Sequence, residues 1–238
     1  MNARGSVLIG ALVLVPVLIS IFIVVAATYL MLRSDGRSRH ACRVELLRSQ
    51  EKVSRLLTQL IELNPKAAAL RLEREVAERE VALTIGEPAN VAAQANLALV
   101  IAKQTVHAIK QQKLITAARM ESRLGPSRAS QEIRTTLSLD QSAYQAGEAR
   151  SFSFKTKTGA FDLIATPSDS ITPDYQPSAR FMTSQNMQVE WQLDLKSLLP
   201  AWIADLLPTE GLALKAECSA TLQKGTLKWS PILNVDKP

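Results

Sequence analysis

Hydrophobic and polar residues follow three different rhythms along this chain. From Gly5 to Leu32 the sequence is apolar almost without interruption: it holds no charged residue, and Ser6, Ser20 and Thr28 are its small polar side chains. At about 1.5 Å of rise per residue, a helix of this length crosses a hydrocarbon core of about 30 Å with a little tilt. A cleaved secretory signal has a shorter apolar stretch and a small-x-small site ahead of a polar mature start. Here the nearest candidate, Val25-Ala26-Ala27, is followed by Tyr29-Leu30-Met31-Leu32. The run therefore reads as a retained anchor over residues 6–33. Pro16 is expected to kink it or mark a packing site, because proline removes one backbone donor and neighbours must satisfy the freed carbonyl.

Residues 38–124 keep a helical rhythm. They are rich in Ala, Leu, Glu, Arg, Gln and Lys, with Gly86 as their one glycine and Pro65 and Pro88 as their prolines. Leu46, Val53, Leu57 and Leu60, with Gln50 between them, fit a heptad seam. Ala69, Leu72, Val76 and Leu83 continue a similar stripe, and Leu99, Ala102, Val106 and Ile109 supply one for a returning helix. Narrow, Ala-rich stripes suit antiparallel helices packed closely as a coiled coil. Asn64-Pro65 reads as a helix restart, with Asn as N-cap and Pro at the first helical position. Gly86-Glu87-Pro88 is the stronger break, since Gly ends a helix and Pro cannot continue one. A first arm, 38–85, thus runs outward and a second, 89–124, returns over a similar length, which delivers the chain back near Cys42. Gly125-Pro126-Ser127 is expected to close the helical part.

The third rhythm is alternation, over a β-rich domain at 134–238. Ser151 to Thr156 alternates, Phe161 to Thr166 is a short apolar run, and Met187, Val189, Trp191, Leu193 and Leu195 share one face of a strand. Leu212 to Gln223 and Thr226 to Val235 flank Lys224-Gly225, which predicts a hairpin with a two-residue turn. Leu198 to Leu207 reads as a short helix anchored by Trp202, and Pro167 to Pro177 as an extended loop. The fold class that follows is α+β: a transmembrane helix, a long antiparallel helical hairpin and a small antiparallel β-rich domain.

Charge divides the parts. Residues 39–125 carry fourteen Lys and Arg against nine Asp and Glu, whereas 126–238 carry eleven against twelve. The excess sits in the second arm, where Lys103, Lys110, Lys113 and Arg119 occur with no acid between Glu87 and Glu121. Such a stripe suits an acidic partner helix or lipid headgroups; the simpler reading is a solvated face answering Glu73, Glu75, Glu78 and Glu80 of the first arm. It has no interleaved aromatics, and no nucleic-acid reader motif accompanies it, so nucleic acid is not expected as a partner.

Candidate chemistry is sparse. His40 and His107 have no metal-ligand spacing to a cysteine or carboxylate, and no glycine-rich phosphate loop, GxSxG elbow or HExxH occurs. Asp169, Asp174, Glu190 and Asp194 read as solvent-facing or loop carboxylates. No catalytic, cofactor-binding or metal residue is assigned, and neither an enzyme nor a small-molecule substrate is expected. Cys42 and Cys218 lack a CxxC context. They fit either two buried thiols or one bridge in an oxidising compartment. The returning hairpin places Cys218 within reach of Cys42, so a disulfide is expected. Arg33, Arg37, Arg39 and Arg43 after the anchor favour a cytoplasmic bulk under the positive-inside rule, whereas a bridge favours export.

The first residues tip that balance. Met1-Asn2-Ala3-Arg4-Gly5, followed by Ser6-Val7-Leu8-Ile9-Gly10-Ala11-Leu12-Val13-Leu14-Val15-Pro16, resembles the N-terminus of the type IV pilin superfamily, and most of all the TadE/TadG pseudopilins of Tad (Flp) pili. The resemblance covers about 30 residues. It implies cleavage between Gly5 and Ser6 by a prepilin peptidase, an N-terminus left in the cytoplasm, and a bulk exported from a bacterial inner membrane to the periplasm or beyond. It also implies other pilin-like or membrane proteins as partners. Gly10 stands where most such proteins have Glu, a departure that points to a minor, non-polymerising component. A second resemblance, to the membrane-fusion proteins of efflux and type I secretion systems, rests on one anchor, a helical hairpin and β-structure. There, however, β-structure precedes the hairpin. A plain signal-anchored envelope protein is the third reading.

Overall fold

The computed structural model describes residues 3–142, 153–194, 213–225 and 229–233. Three long helices come first: α1 (Ala3–Ile61), α2 (Asn64–Leu83) and α3 (Asn90–Ser142). A small β-layer follows, with β1 (Ser153–Lys157), β2 (Leu163–Thr166), β3 (Asp174–Pro177), the single turn α4 (Phe181–Ser184), β4 (Met187–Asp194), β5 (Ala213–Lys224) and β6 (Trp229–Leu233). The fold is α+β, with a helical hairpin and a small antiparallel sheet.

The expected anchor and the expected first arm are one helix. α1 runs 59 residues without a break, about 90 Å at 1.5 Å per residue. Gly36 does not end it, and the Arg39–Asp35 ion pair (2.8 Å) bridges that point one turn apart. Its C-terminal half buries Cys42, Leu46, Val53, Leu57 and Leu60 on a single stripe, with Gln50 among them. α3 answers with Ile115, Ala118, Ala129 and Ile133.

The turn at 62–63 is not built as Asn64-Pro65 suggests. Leu63 is the N-cap residue and makes no side-chain cap bond. Asn64 instead turns its amide onto β3: Nδ2 donates to the Tyr175 carbonyl (2.9 Å) and Oδ1 accepts from the Tyr175 N–H (3.0 Å). A side-chain amide offers the same donor–acceptor pair as a peptide group, so Asn64 closes the strand edge as a neighbouring strand does. At the far end Gly86 adopts φ +86°, the left-handed conformation that glycine enters without a Cβ penalty. Asn90 closes that tip by donating to the Val81 carbonyl (3.1 Å).

Helix α3 passes straight through Gly125-Pro126, so the helical part ends at 142, and residues 134–142 belong to it rather than to the β-domain. Gly125 is a point of contact. A Cβ there would come 2.9 Å from both Ser49 Cβ and Met187 Sδ, which is where α3 lies against α1 and β4 at once. Helical propensity loses to that packing.

The main sheet has the order β1-β4-β5-β6, antiparallel throughout, and β2 and β3 form a separate antiparallel pair. Val189 pairs with Cys218 and Trp191 with Ala216, so inward residues meet across the ladder. The alternation that marks β4 holds: Met187, Val189 and Trp191 are buried, while Glu190 and Gln192 are exposed. One face of the sheet covers α1 and α3, a two-layer arrangement with a common core. Phe181 sits at its centre, fully buried, with Phe161 and Trp229 edge-on at 5.6 and 5.2 Å between centroids. Lys224 pairs with Trp229, so the last paired residues of β5 and β6 stand four residues apart in sequence, not two; residues 226–228 lie outside the described residues. Asp174–Pro177 is a strand where an extended loop is expected. The expected helix at 198–207, with Trp202, lies outside the described residues.

Two of the three expected helical stripes face the other way. Leu72, Val76 and Leu83 on α2, and Leu99, Val106 and Ile109 on α3, are exposed. The inward positions are Ala67, Leu70 and Ala77 on α2, and Val100, Gln104, His107 and Gln111 on α3. Small residues permit close approach of the arms, and the polar ones are retained because backbone carbonyls lie opposite them.

Candidate functional site

The N-terminal half of α1 stands apart from the rest of the protein. Its described large apolar side chains, among them Leu14, Leu18, Ile21, Phe22, Val25 and Leu32, are more than half exposed. These residues form a continuous exposed apolar surface rather than a scatter of single apolar residues. Gly5 and Ser6 lie near the start of this helix and Pro16 within it. Ser20 Oγ donates to the Pro16 carbonyl (2.8 Å), a local polar bond of the kind that accompanies prolines in apolar helices. Among the described residues, no helix is long and apolar enough to cross a membrane; the side chains of residues 3–13, 23, 24, 27, 30 and 31 lie outside the description.

Burial begins abruptly at Ser38 and Cys42. Cys42 on α1 and Cys218 in the middle of β5 have Cα atoms 6.4 Å apart with their sulfurs in bonding contact, closing a sequence separation of 176. Polar side chains then fasten the β-layer to the hairpin. Gln50 Nε2 donates to the carbonyls of Gln185 (2.8 Å) and Ala220 (2.9 Å), and Gln185 Nε2 donates to Ser122 Oγ (2.7 Å). Ser54 Oγ donates to the Trp229 carbonyl (2.5 Å), and within the β-layer Thr221 Oγ1 donates to the Met182 carbonyl (2.5 Å). Four of these bonds end on backbone carbonyls, each of which costs about 1–3 kcal/mol if left buried without a donor.

Further along the hairpin, Arg71 grips Asp174 with both guanidinium nitrogens (2.6 and 3.1 Å) and also donates to the Thr172 carbonyl (2.6 Å). Asp174 is therefore a partner in a planar two-point ion pair, not a solvated loop carboxylate. Gln104 Nε2 donates to the Leu70 carbonyl (2.9 Å) and Gln111 Nε2 to that of Pro173 (3.0 Å). Between them His107 is buried beside the carbonyl of Leu63. Burial and the Lys66 ammonium hold its imidazole below the ordinary range; the Leu63 contact opposes that shift and Lys110 adds to it. Burial pushes the Tyr175 phenol up, against the pull of Arg119.

These groups secure one element to another; no nucleophile, base and electrophile converge among them. Among the described residues there is no group of three or more His, Cys, Asp or Glu able to hold a metal ion. The structure brings Cys42 and Cys218 together and leaves Gly5, Ser6 and Pro16 strung along one helix. Sequence reasoning missed the Asn64, Arg71 and Gln111 contacts to the β2–β3 pair. The signal available for Gln111 was its polarity at an inward position of α3; Asn64 and Arg71 offered none. No family model, no curated protein and no solved structure matches this chain.

Proposed function

We propose that this protein is a single-pass, membrane-anchored component of a bacterial envelope assembly, working by holding and presenting a helical hairpin rather than by catalysis. The observation that carries the reading is the continuity of α1. One helix passes without a break from a half whose described large apolar side chains stand exposed to a half buried in the core. An apolar helix needs an apolar solvent, and a bilayer supplies it. In this reading Gly5–Leu32 packs among lipid tails and other apolar helices of a pilus or secretion apparatus. The Cys42–Cys218 contact suits an exported bulk in an oxidising compartment. The pilin-like start suits cleavage after Gly5, and Gly10 suits a minor component over a filament subunit.

The test is extraction and labelling. The chain is expected to stay with membranes in alkaline carbonate, to resist thiol alkylation until reduced, and to begin at Ser6 in cells that hold a prepilin peptidase. Release into the soluble fraction defeats the anchor; retention with an intact Met1 defeats the pilin-like part and leaves a signal anchor. One observation favours the adaptor-like stalk as a second reading. Among the described residues, the hydrogen bonds between the β-structure and the hairpin reach no nearer the tip than Arg71 on α2 and Gln111 on α3, so the tip beyond them projects as a bare helical pair.

A further inference from the structure

Helix α3 and the paired strands β4 and β5 end at one level, and that level is the end of the apolar run. Along α1, Cys42 stands about 15 Å above Leu32. Helix α3 runs antiparallel beside it. The close approach of Gly125 to Ser49 and the ion pairs Arg128–Glu45 (3.8 Å) and Lys52–Glu121 (3.4 Å) fix the alignment. Carried down both helices, that alignment sets Ser142, the last residue of α3, level with Leu32. Burial agrees: α1 is buried at Ser38, half-buried at Asp35 and Ser34, and exposed at Arg33.

The sheet comes down to the same level. Cys218 lies beside Cys42, Gln50 binds the Ala220 carbonyl, and Ser54 binds that of Trp229, which pairs with Lys224. Strand β5 therefore climbs as α1 climbs. Counted down from Cys218 at about 3.4 Å per residue, Ala213 and its ladder partner Asp194 stand level with Leu32. Around this base, Arg33 and Lys215 are exposed. Asp35 is held by Arg39 (2.8 Å), and Asp140 and Asp194 occupy positions at nearly the same height. Positions of both signs are thus interspersed, which suits a layer of phosphate and ammonium groups better than a purely acidic surface.

The apolar run sets where that level lies. As a helix, Gly5–Leu32 is about 42 Å long, against a hydrocarbon core of about 30 Å. Centred on the core, it overshoots by about 6 Å at each end, and a headgroup layer is about 5–7 Å deep. Leu32 thus reaches the headgroups, and because α1 is unbroken no linker lifts the base away from them.

We propose that the base of the folded part seats on the phospholipid headgroups, with Arg33 and Lys215 presented to lipid phosphates. The hairpin then stands up from the surface, its tip about 80 Å away, the length of α3. This rests on the membrane reading of Gly5–Leu32 and adds to it a second contact, made by the folded part itself.

The test is depth-resolved quenching of the full-length protein in vesicles of phosphatidylethanolamine and phosphatidylglycerol that include lipids with a headgroup nitroxide. Leu32→Cys, Lys215→Cys and Gln223→Cys are made singly and labelled with bimane without reduction. Lys215 and Gln223 are both exposed on the outer face of β5, about 27 Å apart. One label per chain shows that Cys42 and Cys218 stay closed and the fold is intact. If Lys215→Cys fails this control, Gln192→Cys, exposed and paired with Lys215, replaces it. The labels at 32 and 215 should be quenched several-fold more than the label at 223, which should match vesicles without nitroxide. Quenching at 32 but not at 215 overturns the proposal and leaves the anchor standing. Equal quenching at 215 and 223 also overturns it, because the sheet then lies along the bilayer. No quenching at 32, or failure to float with the vesicles, overturns the anchor and the seat together.

Discussion

The foot and the tip of the hairpin solve the same packing problem in opposite ways. At the foot, α1 and α3 turn Leu46, Leu57, Leu60, Ile115 and Ile133 inward and share them with the β-layer. At the tip, α2 and α3 turn Ala67, Leu70, Ala77, Val100 and Gln104 inward and leave Leu72, Leu83, Leu99 and Val106 exposed. Both are antiparallel helical pairs with seam residues every three or four positions. The difference is what lies beside them. A third layer rewards large inward side chains with burial on several sides. A bare pair gains little from them, and small residues let it close with carbonyl-bound glutamines. Stability should therefore be concentrated in the foot.

The largest effect is expected at Phe181. Its ring is fully buried against two other aromatics, and Phe181→Ala should cost about 3–5 kcal/mol. Thermal unfolding followed by circular dichroism reads this. A loss no greater than that of an exposed residue such as Val106→Ser, expected within about 0.5 kcal/mol, would erase the contrast between foot and tip.

Next comes the sulfur bridge. Reduction, or joint replacement of Cys42 and Cys218 by Ala, should lower stability by about 2–5 kcal/mol, because the bridge closes a long loop in the unfolded chain. Unfolding midpoints with and without reductant measure it, and equal midpoints would show that the β-layer is held by packing alone.

Gln50→Leu should cost about 1–3 kcal/mol, since it strips the donor from two buried carbonyls while keeping side-chain bulk. Gln104→Leu at the tip removes a single bond, and a smaller shift in the urea midpoint is expected. A reversed order would place the polar anchorage at the tip.

The smallest effect is a pH slope. The folded pKa of His107 lies below the ordinary 6.5. Above about pH 6.5 the imidazole is neutral in both states and its contribution is fully present. As pH falls below that value, the unfolded chain binds a proton that the fold disfavours, and stability declines until the folded pKa is passed. His107→Gln should flatten that part of the stability–pH curve; an unchanged slope assigns it to other groups.

How much of this was legible follows from what each region demands of a sequence. The β4 alternation and the Leu46–Leu60 seam could be read directly, because there the most apolar face is the buried one. At the tip that rule inverts, and the strongest apolar pattern marked the exterior. Gly125-Pro126 has the composition of a helix end, yet Ser49 and Met187 need a residue without a side chain there, a fact of three-dimensional proximity alone. Phe181 was hidden in a Ser- and Pro-rich stretch whose single helical turn leaves no periodicity to detect. Of the site residues, the two cysteines were legible through the similar lengths of the arms, whereas Asn64 and Arg71 act on strand edges that no local pattern encodes.

The sulfur contact near the start of the buried half of α1 has a mechanical consequence. Tension entering through the N-terminal helix reaches Cys42 and passes across the sulfurs into Cys218, at the middle of β5. Everything between those residues, the whole hairpin included, lies on a side branch of the load path. A pull between the N-terminal helix and the C-terminal end of the chain therefore stretches a short covalent route and leaves α2 and α3 slack.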